Sequence, residues 1–248
     1  MKISAAIIAF NEERNIARAI ESLRFADQIV VVDSGSTDAT REIAAKAGAR
    51  VIEEQWRGYA AQKNFAATVA AHDWILSLDA DEAVTPELAA EFAAVRAEGP
   101  RFDAYSFPRL AQYLGRWIRH SGWYPDRKVR LYHRARAKWV GQYVHESVCV
   151  DGTVGELRGD LLHYTCTSLA DHRRTLERYT SLAAQEIVAR GKPAPLARLI
   201  ADPPWTFFRT WVLQGGFLDG PQGFTIARMA ALYTFLKYAK ARENSPSR

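Results

Sequence analysis

The spacing of apolar residues changes character near residue 100. Before it, short and nearly continuous apolar runs alternate with stretches of helical period. Ile3 to Ala9 is the first run, and Gln28-Ile29-Val30-Val31-Val32 is the second, almost wholly β-branched, as a strand buried on both faces requires. Between them Ile16, Ile20 and Leu23 recur at helical spacing. Arg50 to Glu53 and Trp74-Ile75-Leu76-Ser77 read as two further strands. Helices are predicted through Ile43 and Ala47 to Gly48, from about Tyr59 to Ala71, and from Thr85-Pro86-Glu87 onward. Repeated βα units imply right-handed crossovers and a mostly parallel, Rossmann-like sheet flanked by helices, an α/β fold.

After Gly99-Pro100 the segments become short, alternating and aromatic. Tyr105-Ser106-Phe107, Lys128 to Tyr132 and Glu146 to Val150 predict strands of a mixed sheet. From Thr167 to Arg190 the spacing is helical again, and Gly191-Lys192-Pro193 ends it. Asp202-Pro203-Pro204 is expected to open the next stretch, and Phe224 to Ala241 a last helix. The pattern therefore divides into residues 1–100, residues 101–170 and a helical extension over 171–248.

The predicted strand ends line up Asn11 and Glu12, Asp33, and the pair Asp79 and Asp81 on one edge. Ligands of open α/β sheets bind beyond that edge. Carboxylate oxygens there suit Mg²⁺ or Mn²⁺, which commonly accompany a bound phosphate. The plainer reading is that Asp81 and Glu82 precede a helix, whose start favours such residues. No G-x-G-x-x-G follows the first strand and no P-loop occurs, which argues against dinucleotide and P-loop folds.

Composition adds constraints. With 48% apolar and 25% charged residues the chain is of soluble globular type. Two cysteines give no disulfide framework, and no apolar run approaches the roughly 20 residues of a membrane span. The first strand does not read as a signal peptide, so a cytoplasmic place is expected. The net charge of +5 is uneven: residues 1–100 carry 10 Lys/Arg against 16 Asp/Glu, and residues 101–248 carry 23 against 12. That surplus favours an anionic partner. Trp123 stands among Arg127, Lys128 and Arg130, a set suited to a phosphorylated sugar because rings stack on sugars and guanidinium groups grip phosphates. No nucleic-acid motif accompanies it. His145, Cys149, His163 and Cys166 could suggest zinc, but a strand from Glu146 would separate His145 from Cys149 by about 13 Å.

Four stretches, in order, resemble the family 2 glycosyltransferases of the GT-A fold: Ile3 to Glu13, Val31-Val32-Asp33-Ser34-Gly35-Ser36-Thr37-Asp38, Gly58 with Gln62-Lys63-Asn64, and Leu78-Asp79-Ala80-Asp81-Glu82. The resemblance implies a UDP-sugar donor, with Ala9, Asn11, Glu12 and Asp33 at the nucleoside, Lys63 at uracil or pyrophosphate, and Asp79 at ribose or metal. Asp81 would hold Mg²⁺ or Mn²⁺, and His163 would complete the shell. An inverting transferase also needs a carboxylate to deprotonate the acceptor. Glu146, after Gly141-Gln142-Tyr143-Val144-His145, is the first candidate. Asp126 is the second, weakened as a base by neighbouring Arg127 and Lys128.

Over its full length, including Gly220-Pro221-Gln222-Gly223-Phe224, the chain looks most like the branch that adds glucose to heptose in lipopolysaccharide inner core. That implies a hexose passing from UDP-glucose to a phosphorylated glycolipid. Alternatives are an acceptor in capsule, a lipid-phosphate carrier or protein, or a non-catalytic nucleotide-sugar or anionic-glycan binding module. Residues 205–241 mix Trp and Phe with Arg and Lys, which fits helices lying at a membrane surface, packing on the catalytic domain, or meeting a second copy as a homodimer.

Overall fold

A computed structural model describes residues 1–141, 146–191 and 195–244. His145 and most of the stretch leading to Glu146 lie outside the described residues, whereas Glu146 itself is described. The chain forms two compact units: Met1–Arg109 with the described part of Asp126–His163, and Leu110–Pro125 with the described part of Tyr164–Arg248. Residues 110–125, expected with the second sheet, thus go with the C-terminal helices.

The first unit is built on one mixed sheet. Strands β1 (Ile3–Ala9), β2 (Gln28–Asp33), β3 (Arg50–Glu53) and β4 (Trp74–Asp79) run parallel in the order β3-β2-β1-β4. Helices α1 (Ile16–Glu21), α2 (Thr40–Lys46) and α3 (Tyr59–Val69) make the crossovers. The all-buried pattern of β1 is what a strand covered on both faces must have. Val31 and Leu76 pack on one side of the sheet, Val30 and Ile75 on the other.

A two-residue turn, Ala80-Asp81, leads from β4 to β5 (Glu82–Val84), and Thr85 caps α4 (Pro86–Glu98) by accepting from the Leu88 amide. The sheet continues antiparallel from β4 through β8 (Asp126–His133) to β6 (Ala104–Tyr113), then β12 (Leu161–Cys166) and finally β5. β11 (Val154–Glu156) adds beside β6. Although β5 follows β4 after two residues, three strands separate them in sheet order. The sheet must therefore curl until its far edge returns to the end of β4. β9 (Ala137–Val140) and β10 (Ser147–Val150) form a separate antiparallel pair.

In the second unit β7 (Arg116–Trp117) pairs with the end of β6. Helices α5 (Leu169–Ala189), α6 (Leu196–Phe208) and α7 (Gly220–Glu243) follow, with a π turn (Arg209–Leu213) and a 3₁₀ turn (Gly216–Asp219) between the last two. The prolines expected to open a segment lie instead inside α6. Helix geometry continues through Pro203 and Pro204 despite their missing N–H groups. The last helix begins earlier than its apolar pattern, at Gly220, because Pro221 suits a first turn.

Candidate functional site

Register aligns the acids. Ala9 pairs with Asp33 and Ile8 with Asp79, so the parallel strands end at one edge. There Asn11 adopts a left-handed φ of 56°, which Asn tolerates better than most residues. Its side-chain oxygen accepts from the Thr37 amide at 2.8 Å, and its own amide donates to Ser36 Oγ at 2.8 Å. The loops after β1 and β2 are thereby stitched together. Asp33 has no exposed surface: its carboxylate accepts from the Gly35 and Ser36 amides at 3.0 and 2.8 Å and from the Ser36 hydroxyl. It shapes the loop from beneath, whereas the sequence suggested a contact to the nucleoside.

Glu12 is half-buried beside this loop. Burial pushes its carboxyl up, Asn15 opposes through a hydrogen bond, and the negative charges of Asp81, Asp38 and Asp79 push the same way as burial. A concentration of acids is thus felt at the sheet edge, which suits a cation-bearing ligand.

An alternating chain of charges crosses the first unit. Glu146 lies 3.3 Å from Lys63 Nζ, which lies 2.8 Å from Asp79. Asp79 accepts from Arg130 at 2.8 Å, and Arg130 also donates to Glu82 at 2.8 Å. Glu82 is 3.5 Å from Arg109, and Arg109 is 2.7 Å from Asp126, which Lys128 holds at 2.9 Å. Burial would raise the Asp79 carboxyl, but Arg130 and then Lys63 hold it well below the usual carboxylate range. Burial would likewise raise Asp126, yet Lys128 and Arg109 hold it low, so Arg109 takes the part expected of Arg127. Arg127 instead donates to the Ser106 and Leu157 carbonyls. Glu146 and Asp126, the two base candidates, stand at opposite ends of the chain.

Two basic side chains of the site are buried. Lys63 is 1% exposed and Arg130 3%, so neither is a surface cation. Arg130 is therefore not available to grip an acceptor. Its Nε and Nη1 are buried without a hydrogen-bond partner among the described residues, and its Cζ lies 5.1 Å from the Trp139 ring. Lys63 Nζ lies 4.2 Å from the same ring, which is buried. Such contacts compensate in part for lost hydration. Trp139 is positioned by Asn64, whose side-chain amide bonds both its N–H and its carbonyl at 2.9 Å. Trp123 belongs to the second unit, packed on Tyr113 at 5.6 Å. Lys128 keeps its side chain partly exposed.

The turn between β4 and β5 aims Asp81 toward β12, whose His163 pairs in register with Glu82. His163 Nε2 and Asp81 Oδ2 are 3.2 Å apart, both partly exposed. No three His, Cys, Asp or Glu side chains converge on one metal position among the described residues. The Asp81 carboxylate fits Mg²⁺ or Mn²⁺, which take one or two carboxylates from protein and the rest from phosphate and water, with the His163 imidazole beside it. Asp79 does not fit that shell as arranged, because a cation already holds each of its oxygens. Glu82, Arg109 and Asn64 were not singled out for these roles. Glu82 and Asn64 had a signal, their places in the acid motif and in the Gln62-Lys63-Asn64 stretch; Arg109 had none.

The family model for glycosyl transferase family 2 matches residues 4–151. An uncharacterised glycosyltransferase of Rickettsia typhi is 34% identical over 98% of this chain and 88% of its own. The lipopolysaccharide core biosynthesis glycosyltransferase LpsC of Rhizobium meliloti is 33% identical over 97% and 92%. Among solved structures, S. aureus TarS 1–349 in complex with UDP-GlcNAc aligns with a TM-score of 0.52 at 17% identity, covering all of this chain and 93% of that one. Glucosyl-3-phosphoglycerate synthase from Mycobacterium tuberculosis, in complex with Mn²⁺, UDP and glucosyl-3-phosphoglycerate, gives 0.50 at 17% identity over 77% and 81%. These two likenesses establish the GT-A-like fold. With strand ends, acid turn and family model all falling on the same residues, the chain belongs to glycosyl transferase family 2.

Proposed function

We propose that this protein transfers a hexose, glucose from UDP-glucose, to a phosphorylated heptose of lipopolysaccharide inner core, with inversion, at the cytoplasmic face of the membrane. The observation that carries the reaction is Lys63, whose single ammonium touches both Asp79 at the strand end and Glu146 far along the chain. The acceptor class rests on the likeness to LpsC across nearly the whole length. The donor rests on the acid turn and the stitched loops beyond β1 and β2, where Ala9, Asn11 and Glu12 would meet the nucleoside. TarS and the mycobacterial synthase, which share the fold, were solved with UDP-GlcNAc and UDP respectively.

Each residue then has one task. Asp81 and His163 would hold Mg²⁺ or Mn²⁺, which supplies charge neutralisation to the diphosphate. Asp33 keeps the loop closed beneath the base. Lys63 and Arg130 fix Asp79, so that the turn bearing Asp81 keeps its position. Glu146 takes the proton of the acceptor hydroxyl as that oxygen bonds to the anomeric carbon. The bond to the diphosphate oxygen breaks on the opposite face, and UDP leaves. Asp126, clamped by two cations, is the poorer base. Lys128 and Arg127 remain on the acceptor side.

Glu146→Gln tests this reading with UDP-glucose, Mn²⁺ and heptose-bearing core acceptor. Turnover is expected to fall about 10²–10⁴-fold while UDP-glucose binding by calorimetry stays unchanged. Asp126→Asn is expected to retain turnover within a few-fold. Wild-type turnover in Glu146→Gln would overturn the base. Thermal stabilisation by a different nucleotide sugar and none by UDP-glucose would overturn the donor.

A further inference from the structure

Eleven of the seventeen large hydrophobic side chains exposed among the described residues fall between Leu196 and Phe235, all in the second unit. They are not scattered. α6 buries none of its residues fully, and Leu196, Ile200, Trp205 and Phe208 are all exposed along it. On α7 the residues Phe224, Arg228, Leu232 and Phe235 follow at spacings that keep one helix face outward. Ring contacts join the elements. Phe224, 44% exposed, lies 5.7 Å from Phe207 and 5.3 Å from Trp211, and Trp211 lies 6.5 Å from exposed Phe217. A continuous apolar surface of this kind marks an interaction site.

Charge identifies the occupant. Residues 196–244 hold six Lys/Arg against three Asp/Glu. Of the acids, Asp219 is buried and accepts from the Arg119 and His120 amides and the Ser121 hydroxyl. Arg209 and Arg228 are exposed and form no ion pair among the described residues. A two-fold pairing of this face with itself would bring two copies of the same net positive surface together. Anionic headgroups would instead meet the arginines while the rings enter the acyl boundary. No helix among the described residues is long and apolar enough to cross a membrane. We propose that α6, the two turns after it and the outward face of α7 lie on an anionic bilayer surface. This does not depend on which sugar is transferred.

The test is sedimentation of the full chain with vesicles of phosphatidylcholine alone or with one third phosphatidylglycerol. The chain is expected to bind the anionic vesicles, less so as salt is raised, and to bind neutral vesicles far more weakly. Ile200→Ser with Leu213→Ser, both at exposed positions, is expected to weaken binding about tenfold or more. Arg209→Glu with Arg228→Glu is expected to abolish the preference for anionic lipid. Because that second variant removes no apolar contact, it decides the matter should the first fail to fold. Equal binding to both vesicles, or no binding to either, overturns the proposal. So does self-association that Ile200→Ser with Leu213→Ser abolishes while vesicle binding is absent, which would make the face a dimer interface.

Discussion

Asp79 shows how a single carboxylate can hold two buried cations at a strand end. Lys63 and Arg130 are both buried, and each donates to one of its oxygens. Removing its charge leaves two buried cations short of a partner, a change that costs about 3–5 kcal/mol. Asp79→Asn is therefore expected to lower stability by roughly that amount in denaturant titrations at neutral pH. The sign with pH follows from the lowered carboxyl. Wild type keeps this advantage above the ordinary value of 3.8 and loses it progressively as pH falls toward the folded value. The gap between wild type and variant should accordingly close only in strong acid. At this scale the acids of the site were legible, since motif and strand end coincide. Arg130 and Trp139 were not. A basic and aromatic stretch reads as a surface in one dimension, and only the pairing of β8 with β4 and the Asn64 bonds draw these side chains inward.

Between elements, the approach of α7 to the turn before it depends on glycine. A Cβ on Gly223 would stand 2.0 Å from the Gly216 carbonyl oxygen and 2.9 Å from Asp219 Cβ. Backbone cannot yield as a side-chain end can. Gly223→Ala is expected to lower the melting temperature, with a loss of about 1–3 kcal/mol, and to do so without altering UDP binding. The Gly-Pro-Gln-Gly stretch was visible in the sequence, but its reason, one chain segment lying against another, was not. The prolines of α6 show the opposite error. Local rules favour a helix start at Asp202-Pro203-Pro204, yet the helix starts at Leu196 and runs through them into the π turn. The parallel half of the sheet was more legible because β-branched runs and helical periods there agree with one another.

Across the whole molecule charge is divided as sharply as structure. By composition the first unit carries 19 Lys/Arg against 22 Asp/Glu, and the second 14 against 6. The division at residues 109, 125 and 163 does not follow the sequence blocks, because residues 110–125 leave the first unit and return to it. Sequence order also hid the curl of the sheet. Asp81 and His163 are 82 positions apart, and they meet only because β5 closes onto β12.

Asn64 has one more consequence. By bonding both the N–H and the carbonyl of Trp139, its side chain acts as a rung of ladder between α3 and β9. Glu146 immediately precedes β10, at the loop end of the pair of β9 and β10, and Lys63 is the neighbour of Asn64 on the helix. The reach of the proposed base is thus set from a helix, by the Asn64 amide together with the Lys63 ammonium, outside the main sheet. Asn64→Ala should slow sugar transfer by about tenfold or more at saturating donor, while calorimetric donor affinity changes little.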